Sequence, residues 1–387
     1  MHCGLPLPAM NIAVNTRFLL PGRLEGIGNF THEVLKAMVR QHPENRFHFF
    51  FDRPFDPAFI PGGNVQGFVL SPAARHPLLW RYWFDMKVPR MLKKVEADVF
   101  LSPDGFCSLT TRRPQCLVVH DLGFLHHPDF YTTSHERFYR RQVPKFIRKA
   151  NAIAAVSQFT KDDIVKQYRT PAMKIDVVYN GVKPVFQPLD FAEQDRVKAQ
   201  YTGGFEYFLH TGAIQPRKNL VNLLKGFSLF KKRLQSSMKL VLCGRMAWKN
   251  EEFMQLLQTY KYREDVVLTG YLPDAEVARL TASAYAVVYP SVFEGFGVPV
   301  AEAIACAVPV LTTRGSAMEE VAQNAGLYFD ADNFNDIGEK LMLIYKDETL
   351  RKKLIENGRP LAPAFSWERT AGLLWQCLLK AAGKENA

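Results

Sequence analysis

The chain reads as an α/β protein built from two doubly wound domains that face a central cleft. Three observations predict this. Short, near-continuous apolar runs alternate with segments of helical period, which is the mark of parallel sheets covered on both faces. The pattern restarts after the prolines at 184 and 188. The length is 387 residues, which at about 100–200 residues per domain gives two as the simplest division. Hydrophobic residues make up 47% and charged residues 22%, so each domain has material for a core and dominant disorder is excluded. The 24 glycines and 24 prolines carry no period, which removes collagen-like and low-complexity readings.

The expected first domain covers 10–185. Asn11-Ile12-Ala13-Val14 is its first buried strand, followed by a glycine-rich loop with Gly22 and Gly26-Ile27-Gly28. Phe30, Val34, Leu35 and Met38 fall at helical spacing and predict a helix over 29–40. Strands follow at 47–51, 98–101, 116–119 and 153–156. Ser157 is placed to cap a helix over 161–168, and a strand over 177–179 ends at the Asn180-Gly181 turn. The expected second domain covers 186–365. Its strands are 208–210, 239–243, 266–268, 286–289 and 310–311, and its helices 219–232, 275–284, 299–306, 318–324 and 335–345. A last helix over 366–380 is expected to cross back onto the first domain.

Lys and Arg exceed Asp and Glu by 49 to 38, a net charge of +11, which favours anionic partners without choosing among them. Six cysteines at 3, 107, 116, 243, 306 and 377 form no C-x-x-C pair and match no zinc spacing; reduced core residues of a cytosolic protein are expected. The longest uncharged run, 57–74, is broken by three prolines and three glycines, so it is no membrane span. The nine residues ahead of Met10 are too short for a signal peptide, and Met10 is the expected start of the fold. Two stretches, 75–94 and 137–149, each carry six Lys or Arg, with Trp80, Tyr82, Trp83 and Phe84 in the first and Phe138, Tyr139 and Phe146 in the second. They read either as anionic-membrane contacts or as solvated helix faces over core aromatics.

Four constellations bear on chemistry. In Phe293-Glu294-Gly295-Phe296-Gly297-Val298-Pro299-Val300-Ala301-Glu302, two carboxylates stand eight positions apart across two glycines and a helix start. Backbone N–H groups at such a start donate to phosphate, and the carboxylates accept from hydroxyls; a nucleotide sugar carries both. The plain alternative is a strand–turn–helix with one surface Glu and one helix Glu. Between a strand and a helix, Gly212-Ala213-Ile214-Gln215-Pro216-Arg217-Lys218-Asn219 sets two cations at a helix start, which opposes the macrodipole unless an anion is shared; a solvated loop pair is the alternative. His120-Asp121 follows the strand 116–119, where the imidazole can meet a sugar hydroxyl or simply satisfy the core. Gly26-Ile27-Gly28 lacks the third glycine of a dinucleotide fingerprint, since position 31 is Thr. Asp330-Ala331-Asp332 resembles a metal-binding D-x-D, but capping of the following helix is the expectation, and no metal site is predicted.

Together these residues resemble a retaining glycosyltransferase of family 4, with the GT-B fold of two Rossmann-like domains, over about 10–380. The marks are the E-x7-E of 294–302, P-R-K-N at 216–219, the G-I-G at 26–28, His120-Asp121 and A-V-S-Q-F-T at 155–160. The resemblance implies that Arg217 and Lys218 hold the donor diphosphate and that Glu294 takes donor sugar hydroxyls. It implies that Phe296, Gly297 and Val298 offer backbone N–H groups, and that Glu302 takes the ribose. His120 would lie near the reacting carbon, Gly28 near the phosphates, the base near Gly244, Arg245, Gly270, Tyr271 and Leu272, and Gly212 is a further donor-binding position. No cofactor is implied beyond the donor, GDP-mannose first and UDP-hexose next, and the acceptor is a glycan or a lipid-linked chain. Replacing Arg217 or Glu294 by Ala is expected to abolish transfer and leave the fold intact. Relatives carry Gly after the helix starting at Pro299, where this chain has Ala307, so that helix is expected to end differently.

Three other readings compete: a sugar-nucleotide epimerase or phosphorylase on the same architecture, a nucleic-acid or polyanion binder, and an inactive partner subunit. The joint P-R-K-N and E-x7-E pair argues against the first. No nucleic-acid-binding signature supports the second. Intact candidate positions argue against the third.

Overall fold

The computed structural model describes residues 9–22, 24–74 and 76–384. Cys3, the segment before Ala9, and Arg75 at the head of the first basic stretch lie outside the described residues. The chain divides into two units, residues 1–181 with 367–387, and Val182–Ser366.

In the first unit, β1 (Asn11–Asn15), β2 (Arg46–Phe51), β3 (Val65–Val69), β4 (Val99–Ser102), β5 (Gln115–Val119), β6 (Ala152–Ala155) and β7 (Ile175–Val177) form one sheet in the order β3-β2-β1-β4-β5-β6-β7. All its pairings are parallel, with Ile12 opposite Phe47 on one side and Val99 on the other. The second unit repeats the scheme with β8 (Tyr207–Thr211), β9 (Lys239–Cys243), β10 (Val266–Gly270), β11 (Ala286–Tyr289), β12 (Val310–Thr313) and β13 (Gly326–Phe329), in the order β10-β9-β8-β11-β12-β13. In each, the strand order reverses beside the first strand, between β1 and β4 and between β8 and β11. That reversal opens a crevice at the carboxyl ends of the strands, where doubly wound sheets bind ligands.

The central strands are buried throughout because helices cover both faces. Phe50, Trp83, Phe84, Phe100 and Phe146 centre the first core, and Phe208, Phe227, Phe230 and Leu240 the second. The helix Trp367–Ala382 belongs to the first unit, with Ala371, Leu374, Cys377 and Leu378 fully buried. All five described cysteines are free and buried. Among the described residues no helix is long and apolar enough to cross a membrane.

The structure corrects several expectations. Gly26-Ile27-Gly28 is not a loop but the first turn of the helix Gly26–Gln41. The division falls at Gly181/Val182, four residues before the expected boundary, and the prolines at 184 and 188 do not mark a free linker. Val182 N–H donates to the Phe365 carbonyl (2.9 Å), and Phe186 is buried in the second unit. The edge strands β3 and β13 were not legible, because each is short and carries a glycine. The helix Val298–Ala305 ends with Ala307 in the left-handed region (φ 57°) after all. Ala307 N–H donates to Ile304 O (3.0 Å) and Val308 N–H to Ala303 O (2.9 Å), a complete Schellman cap built without glycine. At the D-x-D segment, Asn333 caps the helix Phe334–Lys346, and Asp330 accepts from the Asp332 N–H (3.0 Å).

Candidate active site

The second unit gathers most of the expected donor residues at its strand ends. Gly212 follows β8, Gly244 and Arg245 follow β9, Tyr271 and Leu272 follow β10, and Glu294 to Gly297 follow β11. The loops after β8 and β9 lie backbone on backbone: Gly212 N–H donates to Cys243 O (2.8 Å), and Ile214 N–H to Arg245 O (2.9 Å). Tyr271 is 73% exposed, while Arg245 and Leu272 are half-buried.

Arg217 and Lys218 do not start a helix. They sit on a separate 3-10 turn, Pro216–Lys218, and Asn219 (φ 56°) separates it from the helix Leu220–Leu234. Asn219 fixes this geometry by donating its side-chain amide to Ala331 O (2.7 Å) and Pro290 O (3.3 Å). The anion that the cations share is Glu294. Arg217 Nη1 donates to Glu294 Oε2 at 3.0 Å and Lys218 Nζ to Glu294 Oε1 at 2.6 Å. Burial alone would raise the Glu294 carboxyl; Lys218 and Arg217 outweigh it and hold it at about 2. Two cations and a carboxylate thus meet at the switch point, and the cations are of the kind that bind phosphate.

Two residues of this cluster escaped the sequence reading. Tyr289, the last residue of β11, accepts a hydrogen bond from Lys218 Nζ, and its hydroxyl donates to Glu294 Oε1 (3.3 Å). His210, on β8, is fully buried and stacks on the Tyr289 ring (5.4 Å between centroids, 14° between planes). Its Nδ1 donates to Val288 O (3.2 Å). Burial, reinforced by Lys218, lowers the imidazole to about 3, so it stays neutral beside the cation. The available signal was two polar residues inside otherwise apolar strands, each of which needs a partner when buried.

Glu302 lies in the helix Val298–Ala305, half-buried, and its charged neighbours are Asp274 and Lys183 rather than Arg217 and Lys218. Lys183 Nζ pairs with Asp274 Oδ2 at 2.6 Å. Burial, helped by Asp274 and opposed by Lys183, pushes the Glu302 carboxyl up to about 8. As a neutral acid it both donates and accepts, which suits a pair of hydroxyls. Gly297 takes φ 89° as the N-cap of this helix, and a Cβ there would lie 2.6 Å from Met318 Cγ. Phe296 is buried against Phe365 (5.8 Å), and Val298 opens the helix half-buried.

In the first unit, His120 follows β5. Its Nε2–H donates to Pro103 O (2.8 Å), and Phe30 meets its ring edge-on at 5.0 Å. Burial lowers its pKa, so the ring is neutral and Nδ1 is left as an acceptor. Gly28 is buried in the helix Gly26–Gln41, where a Cβ would stand 2.8 Å from the Phe18 carbonyl oxygen. Its glycine thus answers first to helix–loop packing. At the switch point of this sheet the sequence reading also missed Arg17, which pairs with Asp104 at 2.5 Å with both side chains nearly buried.

Glu294→Ala removes the carboxylate that both Arg217 and Lys218 hydrogen-bond; breaking a buried pair typically costs about 3–5 kcal/mol, so the replacement is expected to lower stability as well as transfer.

Two doubly wound units, one with a cation pair and a carboxylate at its switch point, define a class of two-domain α/β proteins built to bind phosphorylated ligands. Residues 191–360 match the family Glycosyl transferases group 1, and residues 24–186 match Glycosyltransferase Family 4. The chain belongs to the family 4 glycosyltransferases, and its fold is GT-B. It is 26% identical to O-antigen chain mannosyltransferase B of Escherichia coli over 89% of this chain and 93% of that protein. It is 28% identical to O-antigen chain mannosyltransferase RfbU of Salmonella typhimurium over 71% and 73% respectively. Among solved structures, a glycosyltransferase from Rickettsia africae superposes with a TM-score of 0.75 at 15% identity, covering 98% of this chain and 100% of the other.

Proposed function

We propose that this glycosyltransferase moves a mannosyl group, with retention and without a metal, from GDP-mannose to a glycan or lipid-linked acceptor of surface polysaccharide assembly. UDP-hexose is the second choice of donor. The observation that carries the reading is the Arg217–Glu294–Lys218 cluster at the switch point of the second sheet. The names of the two O-antigen relatives support the mannosyl choice and the acceptor class.

In this reading, the bond between the anomeric carbon and the diphosphate oxygen breaks first, through an oxocarbenium-like state. Arg217 and Lys218 stabilise the departing diphosphate in place of a metal ion. Glu294, held ionised, accepts from sugar hydroxyls. Glu302, held protonated, meets the ribose. His120 offers Nδ1 to a sugar hydroxyl. The acceptor hydroxyl attacks from the face the diphosphate leaves, and its proton passes to a diphosphate oxygen. Such preorganised charge is worth about 10²–10³ in rate per donor group.

Arg217→Ala is the cleaner test, since Arg217 is 27% exposed and its loss leaves Lys218 paired with Glu294. Purified protein is assayed for transfer and slow hydrolysis with a nucleotide-sugar panel. GDP-mannose is expected to be turned over fastest, the product to keep the donor's anomeric configuration by NMR, and Arg217→Ala to lose at least about a hundredfold. Full activity in Arg217→Ala refutes the leaving-group role; inversion of configuration refutes the mechanism.

A further inference from the structure

Lys218 is buried, and its ammonium sits on a flexible four-carbon stem that has no preferred direction of its own. In the second unit that direction is supplied from β8 and β11. Tyr289, at the end of β11, accepts a hydrogen bond from Lys218 Nζ and donates from the same hydroxyl to Glu294 Oε1 (3.3 Å), so one oxygen ties the cation to the carboxylate. The ammonium also lies 4.6 Å from the centre of the Tyr289 ring. Burial and the Glu294 charge push the phenol up, which keeps it a neutral hydroxyl able to accept and donate at once. His210 stands behind it. Its ring stacks on Tyr289, its Nδ1–H goes to Val288 O, and its lone pair is therefore on Nε2. Among the described residues Nε2 has no hydrogen-bond partner. It borders the same point as the cation: a Cβ on Gly212 would lie 3.7 Å from Lys218 Nζ and 3.9 Å from His210 Nε2. Leucine and phenylalanine would fill this volume with no polar atom to satisfy. Here the phenol oxygen bonds the Lys218 ammonium, and a lone pair lies beside it.

We propose that Tyr289 and His210 are positioning residues for the leaving diphosphate: they fix where the Lys218 ammonium points, and they act on transfer through it without touching the donor. This rests on the donor reading above, in which Lys218 meets the diphosphate. When a diphosphate oxygen draws on a Lys218 N–H, the Tyr289 hydroxyl keeps its bond to Glu294, so the buried carboxylate keeps a donor on that oxygen. The imidazole, being uncharged, sets a lone pair beside the cation instead of a second positive charge that would repel it.

The test is titration calorimetry of the full chain with GDP, GMP, UDP and UMP. The readout is the ratio of diphosphate to monophosphate affinity for the base that binds, since only the diphosphate carries the terminal phosphate that departs from the sugar. Tyr289→Phe removes one oxygen and keeps the ring; it is expected to cut that ratio about tenfold, the worth of one hydrogen bond to a charged group. His210→Phe keeps the stack and removes the lone pair, and is expected to cut the ratio severalfold. Lys218→Met is expected to cut it at least as far as Tyr289→Phe, and adding Tyr289→Phe to Lys218→Met to change it no further. A variant that is merely less stable loses affinity for both nucleotides alike and leaves the ratio where it was. A wild-type ratio in Tyr289→Phe overturns the proposal, as does an equal loss from Tyr289→Phe with and without Lys218. A wild-type ratio in His210→Phe overturns the part given to His210. If Lys218→Met keeps the wild-type ratio, or the wild-type chain holds neither diphosphate better than its monophosphate, the donor reading itself fails and takes the positioning roles with it.

Discussion

At the scale of single residues, the site sorts its two carboxylates by environment. Glu294 sits between two cations and is ionised at any ordinary pH, while Glu302 is pushed up to about 8. The difference has a measurable consequence for stability. An acid whose folded pKa lies above its unfolded value holds more protons in the native state, so stability falls as pH rises between the two values. For Glu302 that window runs from the ordinary value of 4.5 to about 8. Glu302→Gln mimics the protonated form and does not titrate. Its melting temperature should match wild type near pH 4 and exceed it by about 10 °C or more near pH 9. A difference that stays flat from acid to alkaline pH would show that Glu302 is already ionised at neutrality.

At the scale of elements, legibility followed burial. The central strands β1, β4, β5, β8, β9 and β11 are apolar runs and announced themselves; β3 has Gly67 at its centre, and β13 spans four residues at an edge. The Arg217, Lys218 and Glu294 cluster was legible because charged residues at strand ends have little reason to be there without a ligand. Tyr289 and His210 were not, since each passes for an ordinary core aromatic until its polar atoms are placed. The G-I-G motif misled in the other direction, because Gly28 serves a helix packed on the Phe18 carbonyl. Ala307 shows a third case, where the local rule held and the protein broke it. A left-handed Cβ costs about 1–2 kcal/mol, while glycine gives back part of that through the unfolded chain. Ala307→Gly is therefore expected to gain about 0.5–1 kcal/mol and raise the melting temperature by a few degrees, as read by calorimetry. A lowered melting temperature would mean that the Ala307 methyl group makes contacts worth more than the strain.

At the scale of the whole molecule, the two units are not equivalent in chain connectivity. The second is one continuous segment, Val182–Ser366, whereas the first is completed by residues from the far end of the chain. The helix Trp367–Ala382 supplies buried Leu374, Trp375, Leu378 and Leu379, stacks Trp375 on His42 (3.6 Å) and pairs Glu368 with Arg40 (2.7 Å). Its Cys377 Sγ lies 3.6 Å from Cys116 Sγ of β5. Each fully buried side chain of this size contributes about 1.5–3 kcal/mol, and a domain's net stability is only about 5–15 kcal/mol. Losing four of them removes most or all of that margin. The fragment 182–366, expressed alone, is therefore expected to melt cooperatively. The fragment 1–181 is expected to be insoluble or molten, and to recover a cooperative transition when 367–387 is supplied as a second chain. Calorimetry and near-ultraviolet circular dichroism of the three preparations decide the matter. If 1–181 alone melts as sharply and as high as it does in the whole chain, the terminal helix is an ornament on a self-sufficient sheet rather than part of its core.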